Sequence, residues 1–404
     1  MSRMLTRRDL LASTAVLCLP TAASARVWAP EQSGAPEFDL LISGGRVIDP
    51  SSSFDAVADV AIRGGRIARV APGISASSAR TVINARGRIV TPGLVDVHVH
   101  TDAELTPAWC LATGVTAMAD GGTYGADNVD TGLALAHTAK NRVRLLLNLG
   151  RSGLNGLGAV GELLDLANAD VAVARRAVEA HRDLVAGIKI RLSKSAAGAN
   201  DLEAVRRARQ ITAPLGLTVM AHIGQSVSTL PEILALMGPG DIITHVYAPA
   251  PHGILDANGR LLPEVRAARE RGVLFDVGNG RSGHLTWDVA ERAIQQGFLP
   301  DTISSDLTAP GRTDRVFDFP TVLSKFLLLG MTLPQIVACA TSRAANALPA
   351  FRDLGTLAVG APADVAVFEL REGEVDFVDN EKTVRKGRRK LVPSTVVLAG
   401  QRVL

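Results

Sequence analysis

The chain has 404 residues, 47% of them hydrophobic and 21% charged, with aromatics at only 4% and a formal net charge of +3. That is enough for one large soluble domain and a smaller one around an aliphatic core. The weak charge argues against a nucleic-acid partner, and three cysteines exclude a disulfide framework.

Residues 1–25 read as an export signal. Arg3, Arg7 and Arg8 form a basic region, Leu10–Leu19 is apolar, and Ala23-Ser24-Ala25 offers a small-residue cleavage site. The pair Arg7-Arg8 has the form of a twin-arginine signal, with an ordinary secretory signal as the alternative. Either way the expected location is the periplasm or the exterior. The apolar run is far short of the roughly 20 residues of a membrane span. Leu17 before Cys18 argues against a lipid anchor. The segment holds three arginines and one aspartate, so the chain without it carries +1.

Residues 37–92 show short strands broken by turn residues: Asp39–Ile42, Arg46–Ile48, Ala56–Ile62 and Arg66–Val70, with turns at Gly44-Gly45 and Gly64-Gly65. Residues 352–404 have the same character, in Ala363–Phe368 and Ser394–Leu398. Both ends are expected to build one small β-sandwich domain.

Between them, over 93–351, strand-like runs alternate with amphipathic stretches. The strands are Leu94–His100, Val115–Ala119, Val143–Leu149, Leu184–Leu192, Leu217–His222, Ile242–Val246, Val273–Val277 and Thr302–Ser305. The helical stretches include Asn128–Lys140, Val171–Asp183, Asp201–Ala213 and Leu261–Arg271. Eight such units predict a (β/α)8 TIM-type barrel. An open doubly wound sheet would place a Gly-rich phosphate loop after its first strand, and none is there. Asp120–Gly125 is Gly-rich but follows the second strand; it reads as a tight turn, with a substrate loop as the lesser option. The basic run Arg385–Lys390 reads as a solvated turn rather than a polyanion contact.

Four of the eight histidines fall at predicted strand ends, where barrels place catalytic residues. His98 and His100 stand two apart on the first strand and so share a face. His222 ends the fifth strand, His245 the sixth, and Asp306 follows the eighth. Together they form a metal-ligand set. Lys189 lies in an apolar fourth strand, where a buried ammonium is costly unless paired or modified. Carboxylation by carbon dioxide makes it a carbamate with one oxygen for each of two cations; pairing with Asp306 or a substrate carboxylate is the alternative. His137 and His181 fall in helices and His284 opens one, so all three read as surface or packing residues. Cys110 and Cys339 read as small core residues.

These motifs resemble the amidohydrolase superfamily, and within it the amidohydrolase/deacetylase metallohydrolases related to dihydroorotase. The resemblance rests on Pro92–His100, Gly187-Ile188-Lys189, Thr244-His245, Ser305-Asp306 and Gly355–Asp364. It implies two divalent ions, expected to be zinc. His98, His100, the Lys189 carbamate and Asp306 would hold the more buried ion; the carbamate, His222 and His245 would hold the other. It implies hydrolysis of an amide or ester, with Asp306 moving a proton from water to the leaving group. Relatives often read Asp-x-Gly-His-Gly after the seventh strand, where this chain has Asp276-Val277-Gly278-Asn279-Gly280. The expected substrate is a small molecule: an N-acyl amino acid or an acylated 2-hydroxy acid, with a cyclic amide as the alternative. Substrate-side candidates are Arg191, Tyr124, Arg151, Tyr247 and Asn279, with His252 a further loop position. Homo-oligomerisation is left open.

Overall fold

The computed structural model describes residues 36–154, 162–251 and 253–404, so the export signal and His252 lie outside the described residues. The amino-terminal side supplies β1 (Phe38–Asp49), β2 (Phe54–Arg63), β3 (Arg66–Ala71), β4 (Ala79–Asn84) and β5 (Ile89–Pro92). The pair Gly44-Gly45, expected as a turn, is instead a bulge inside β1, with a register shift between Ile42 and Gly45. Gly44 has φ +74°, and a Cβ on Gly45 would come within 2.5 Å of Val90 Cγ2. The glycines let β1 change its parallel partner from β4, along Phe38–Ser43, to β5, at Arg46 and Val47.

Seven parallel strands follow in sequence order: β6 (Leu94–Val99), β7 (Val115–Asp120), β8 (Arg142–Asn148), β9 (Val185–Arg191), β10 (Thr218–His222), β11 (Ile242–Thr244) and β12 (Leu274–Phe275). Every residue of β6 and β7 is buried. Strands covered on both faces read as continuous apolar runs, which is why alternation is missing from the sequence here. The expected eighth strand forms no ladder of its own. It closes the ring through single bridges, Asp276 with Thr302 and Val99 with Leu307. The amides of Asn279 and Asp306 complete the closure, donating to Ser304 O and His98 O. The architecture is the (β/α)8 barrel. Its helices include Val129–Thr138, Val171–Ala180, Asp201–Thr212 and Pro263–Glu270. The second of these starts at Asp170, whose carboxylate accepts the amides of Ala172 and Val173.

β13 (Val365–Val378), β14 (Val384–Leu398) and β15 (Gln401–Arg402) then return to the first sheet, β13 pairing antiparallel with β5. The sheet runs β15-β14-β13-β5-β1-β2-β3, with β4 beside β1. Leu40, Val47, Val60, Val90, Val365 and Val397 share one core, so the two chain ends are joined by burial as well as pairing. The basic run Arg385–Lys390 lies within β14 and is not a turn. Across the ladder Glu372 faces Arg389 and Asp376 faces Lys386, and opposite charges on facing strands favour the extended form. Gly387 leaves room for the Phe377 ring, which a Cβ would approach to 2.6 Å. Among the described residues no helix is long and apolar enough to cross a membrane.

Candidate metal centre

The six expected ligands come from five places in the barrel and converge at one end. His98 is on β6 with His100 just beyond it, Lys189 is on β9, His222 ends β10, His245 follows β11, and Asp306 lies in the closing segment. His245 and Asp306 hold φ of +66° and +47°. Non-glycine residues adopt this left-handed region at a cost of roughly 1–3 kcal/mol, and such strain collects at functional sites. Both residues are tethered: the Asp306 amide donates to His98 O at 2.7 Å, and His245 Nδ1 donates to Gly278 O at 2.8 Å.

The donor atoms are spaced for a cation. Asp306 Oδ1 lies 3.4 Å from His98 Nε2 and 3.2 Å from His100 Nε2. Ligands bound at about 2.0–2.1 Å in a tetrahedron stand roughly 3.4 Å apart. The tautomers suit this too. Thr244 Oγ1 donates to Asp276 Oδ2 at 2.7 Å, so it accepts from His98 Nδ1, which lies 3.0 Å away. A carbonyl can only accept, so His245 also carries its proton on Nδ1. In both rings the lone pair then sits on Nε2, which in His98 accepts from Lys189 Nζ at 2.7 Å. Burial pushes His98, His222 and His245 well below the ordinary imidazole pKa, which keeps them neutral.

Lys189 is fully buried. Its Nζ donates to Gly121 O at 3.0 Å and lies 2.7 Å from His98 Nε2. Among the described residues it forms no ion pair with a carboxylate, so the alternative of pairing with Asp306 is not realised. Burial pulls its pKa down to about 8. The loop Asp120–Gly125 is a tight turn, with Asp120 Oδ1 accepting the amides of Gly122 and Thr123. It also roofs the centre: a Cβ on Gly121 would sit 2.2 Å from His98 Cδ2, so only glycine fits there.

One member escaped the sequence. His284, expected as a surface or packing residue, stands in the cluster. Its Nδ1 is 3.0 Å from Asp306 Oδ2, and its ring stacks on His245 with centroids 3.8 Å apart. The helix it was expected to open begins only at Trp287, so His284 belongs to the loop after the seventh strand. That loop's position at the catalytic end of the barrel was the available signal.

The substrate-side candidates are otherwise engaged. Tyr124 is buried and donates to Thr101 O at 2.8 Å. Tyr247 is wholly buried and donates to Phe298 O at 3.2 Å. Arg151 pairs at the surface with Asp127. Asn279 is wholly buried, its Oδ1 accepting from Lys325 Nζ at 2.9 Å. Arg191 pairs with Glu162 at 2.5 Å, which weakens its case as the group that holds a substrate carboxylate. His137 is exposed on its helix, and His181 caps one. Cys110 and Cys339 are buried and free.

The barrel, the two-ended sheet and this donor set define a class of hydrolase. The family model described as the amidohydrolase family matches residues 89–403. A deacetylase of Enterococcus faecalis is 31% identical over 374 residues, covering 90% of this chain and 99% of that one. A solved structure of an adenine deaminase superposes with a TM-score of 0.83 at 30% identity, covering 90% and 99% of the two chains. A dihydroorotase structure gives 0.79 at 26% identity, covering 90% and 97%. The chain belongs to the amidohydrolase family and is a hydrolase acting on amide bonds.

Proposed function

We propose that the protein is a binuclear metal-dependent hydrolase that deacylates an N-acyl amino acid or an acylated 2-hydroxy acid. From its amino-terminal segment we propose that it works in the periplasm or outside the cell. The observation that carries the reading is Lys189, a buried amine with no carboxylate partner among the described residues, set against the imidazoles. As a carbamate it becomes an anion with two oxygens, which suits a position between two cations. His98, His100, the carbamate and Asp306 would hold one ion; the carbamate, His222 and His245 would hold the other, with zinc the best match to this donor set. When bound, the ions supply the Lewis acidity that makes water nucleophilic at neutral pH and polarises the scissile carbonyl.

The chain's own groups do the rest. Asp306 takes a proton at Oδ2 and passes it to the departing nitrogen or oxygen. Thr244 and Gly278 O hold His98 and His245 in the tautomers that direct Nε2 inward. The Gly121–Gly122 turn keeps bulk solvent off the His98 side. Deacylation is favoured by the deacetylase relative, which this chain matches along nearly its whole length. The similarity to a dihydroorotase makes ring-opening of a cyclic amide the second reading. The test is a panel of N-acetyl amino acids, O-acetyl 2-hydroxy acids and cyclic imides given to one metal-loaded sample. Turnover of the acyl compounds, abolished by Lys189→Ala, is the expected result. Turnover of cyclic imides alone overturns deacylation, and full activity of Lys189→Ala overturns the bridged pair.

A further inference from the structure

We propose that His284 is itself a metal ligand, completing with His222 and His245 a three-imidazole site that holds a divalent cation without help from Lys189. The inference rests on the metal-dependent reading above, but adds a residue and an independence that reading does not contain.

Three observations carry it. First, the ligand nitrogens of His222, His245 and His284 all lie within 4.8 Å of one another. Three imidazoles around one open position are a set that zinc takes, with ligands roughly 3.4 Å apart once bound. Their separations therefore exceed the bound spacing by at most about 1.4 Å. Second, His284 Nδ1 is buried, and its polar neighbour among the described residues is Asp306 Oδ2, 3.0 Å away, itself one of the proposed ligands. The ring is thus held against the same carboxylate that would face the ions, beside two other imidazoles. Third, the fold goes to some length to put it there. Asn380 Oδ1 accepts the amides of His284 and Leu285 at 2.9 and 3.0 Å, and its Nδ2 donates to Gly280 O at 3.0 Å. Gly280 clears the space, since a Cβ there would lie 1.9 Å from His284 Nδ1. Asn279, in the same loop, is withdrawn onto Lys325. The loop after the seventh strand is thus pinned at both sides with one imidazole presented inward.

The test uses the mature protein, stripped of metal and then titrated with Zn(II), with bound metal read by elemental analysis. Co(II) in parallel reports nitrogen coordination by its visible spectrum. Wild type should bind two ions per chain. Lys189→Ala should keep about one, and Lys189→Ala/His284→Ala should bind it at least about tenfold more weakly. In the otherwise wild-type protein, His284→Ala should change the Co(II) bands of one ion and leave the other alone, with circular dichroism confirming the fold. Wild type binding two ions while His284→Ala leaves affinity and spectrum unchanged overturns this inference alone. Lys189→Ala binding none, while wild type binds two, also overturns it alone. Wild type binding no metal overturns the proposed function as well.

Discussion

Carbon dioxide reacts with a neutral amine, not with an ammonium, so the pKa of Lys189 sets how readily it becomes a carbamate. Burial brings that pKa down from 10.5 to about 8. At pH 7 about one amine in ten is then neutral, against roughly one in three thousand at the ordinary value, a gain of about 300-fold. The perturbation is pH itself, applied to metal-free protein at a fixed concentration of dissolved 13C-labelled carbon dioxide. The rate at which the carbamate carbon appears by NMR should climb about tenfold from pH 6 to 7 and level off above about pH 8. Lys189→Arg, whose guanidinium stays charged, should show no such signal. A rate that keeps rising tenfold per pH unit to pH 10 means an ordinary solvated amine and refutes the argument from burial. Absence of the carbamate at every pH, in the metal-loaded protein as well, refutes the bridge.

Three further outcomes follow from the same geometry. Asp306→Asn keeps the shape but cannot take a proton, so kcat/KM should fall by about 100-fold or more with the melting temperature little changed; retention of activity would remove Asp306 from proton transfer. Gly121→Ala drives a methyl into His98, 2.2 Å from its Cδ2, and should cost roughly 1–3 kcal/mol of stability along with bound metal, read by thermal melting and metal content. Lys325 is buried against Asn279 Oδ1 and Arg315 O, and burial pulls its pKa down to about 7. Its folded form binds fewer protons than the unfolded chain between about pH 7 and 10.5, so stability is lowest below that window and recovers as pH rises through it. Denaturant unfolding should show wild type gaining on Lys325→Met by up to about 1.4 kcal/mol per pH unit across that range, whereas a pH-independent difference would contradict the burial argument.

The barrel was legible because its strands are covered on both faces and therefore apolar throughout, and because each is followed by a stretch of helical periodicity. The convergence of His98, His100, Lys189, His222, His245 and Asp306, the ligands we propose, was legible because each falls at or near a strand, where backbone geometry alone tells which way a side chain points. What lay between elements was not. The Gly44-Gly45 bulge and the strand nature of Arg385–Lys390 depend on partners far along the chain: Val90 and Ala85 for the glycines, Glu372 and Asp376 for the basic run. His284 and Asn279 exchanged their expected places for the same reason. Their loop takes its path from Asn380, 100 positions beyond Gly280, and from Lys325, 46 positions beyond Asn279. A strand carries its own direction in its hydrogen-bond pattern and so speaks through local sequence. A loop has no repeating pattern of its own and goes where distant donors and acceptors hold it, which only the folded chain decides.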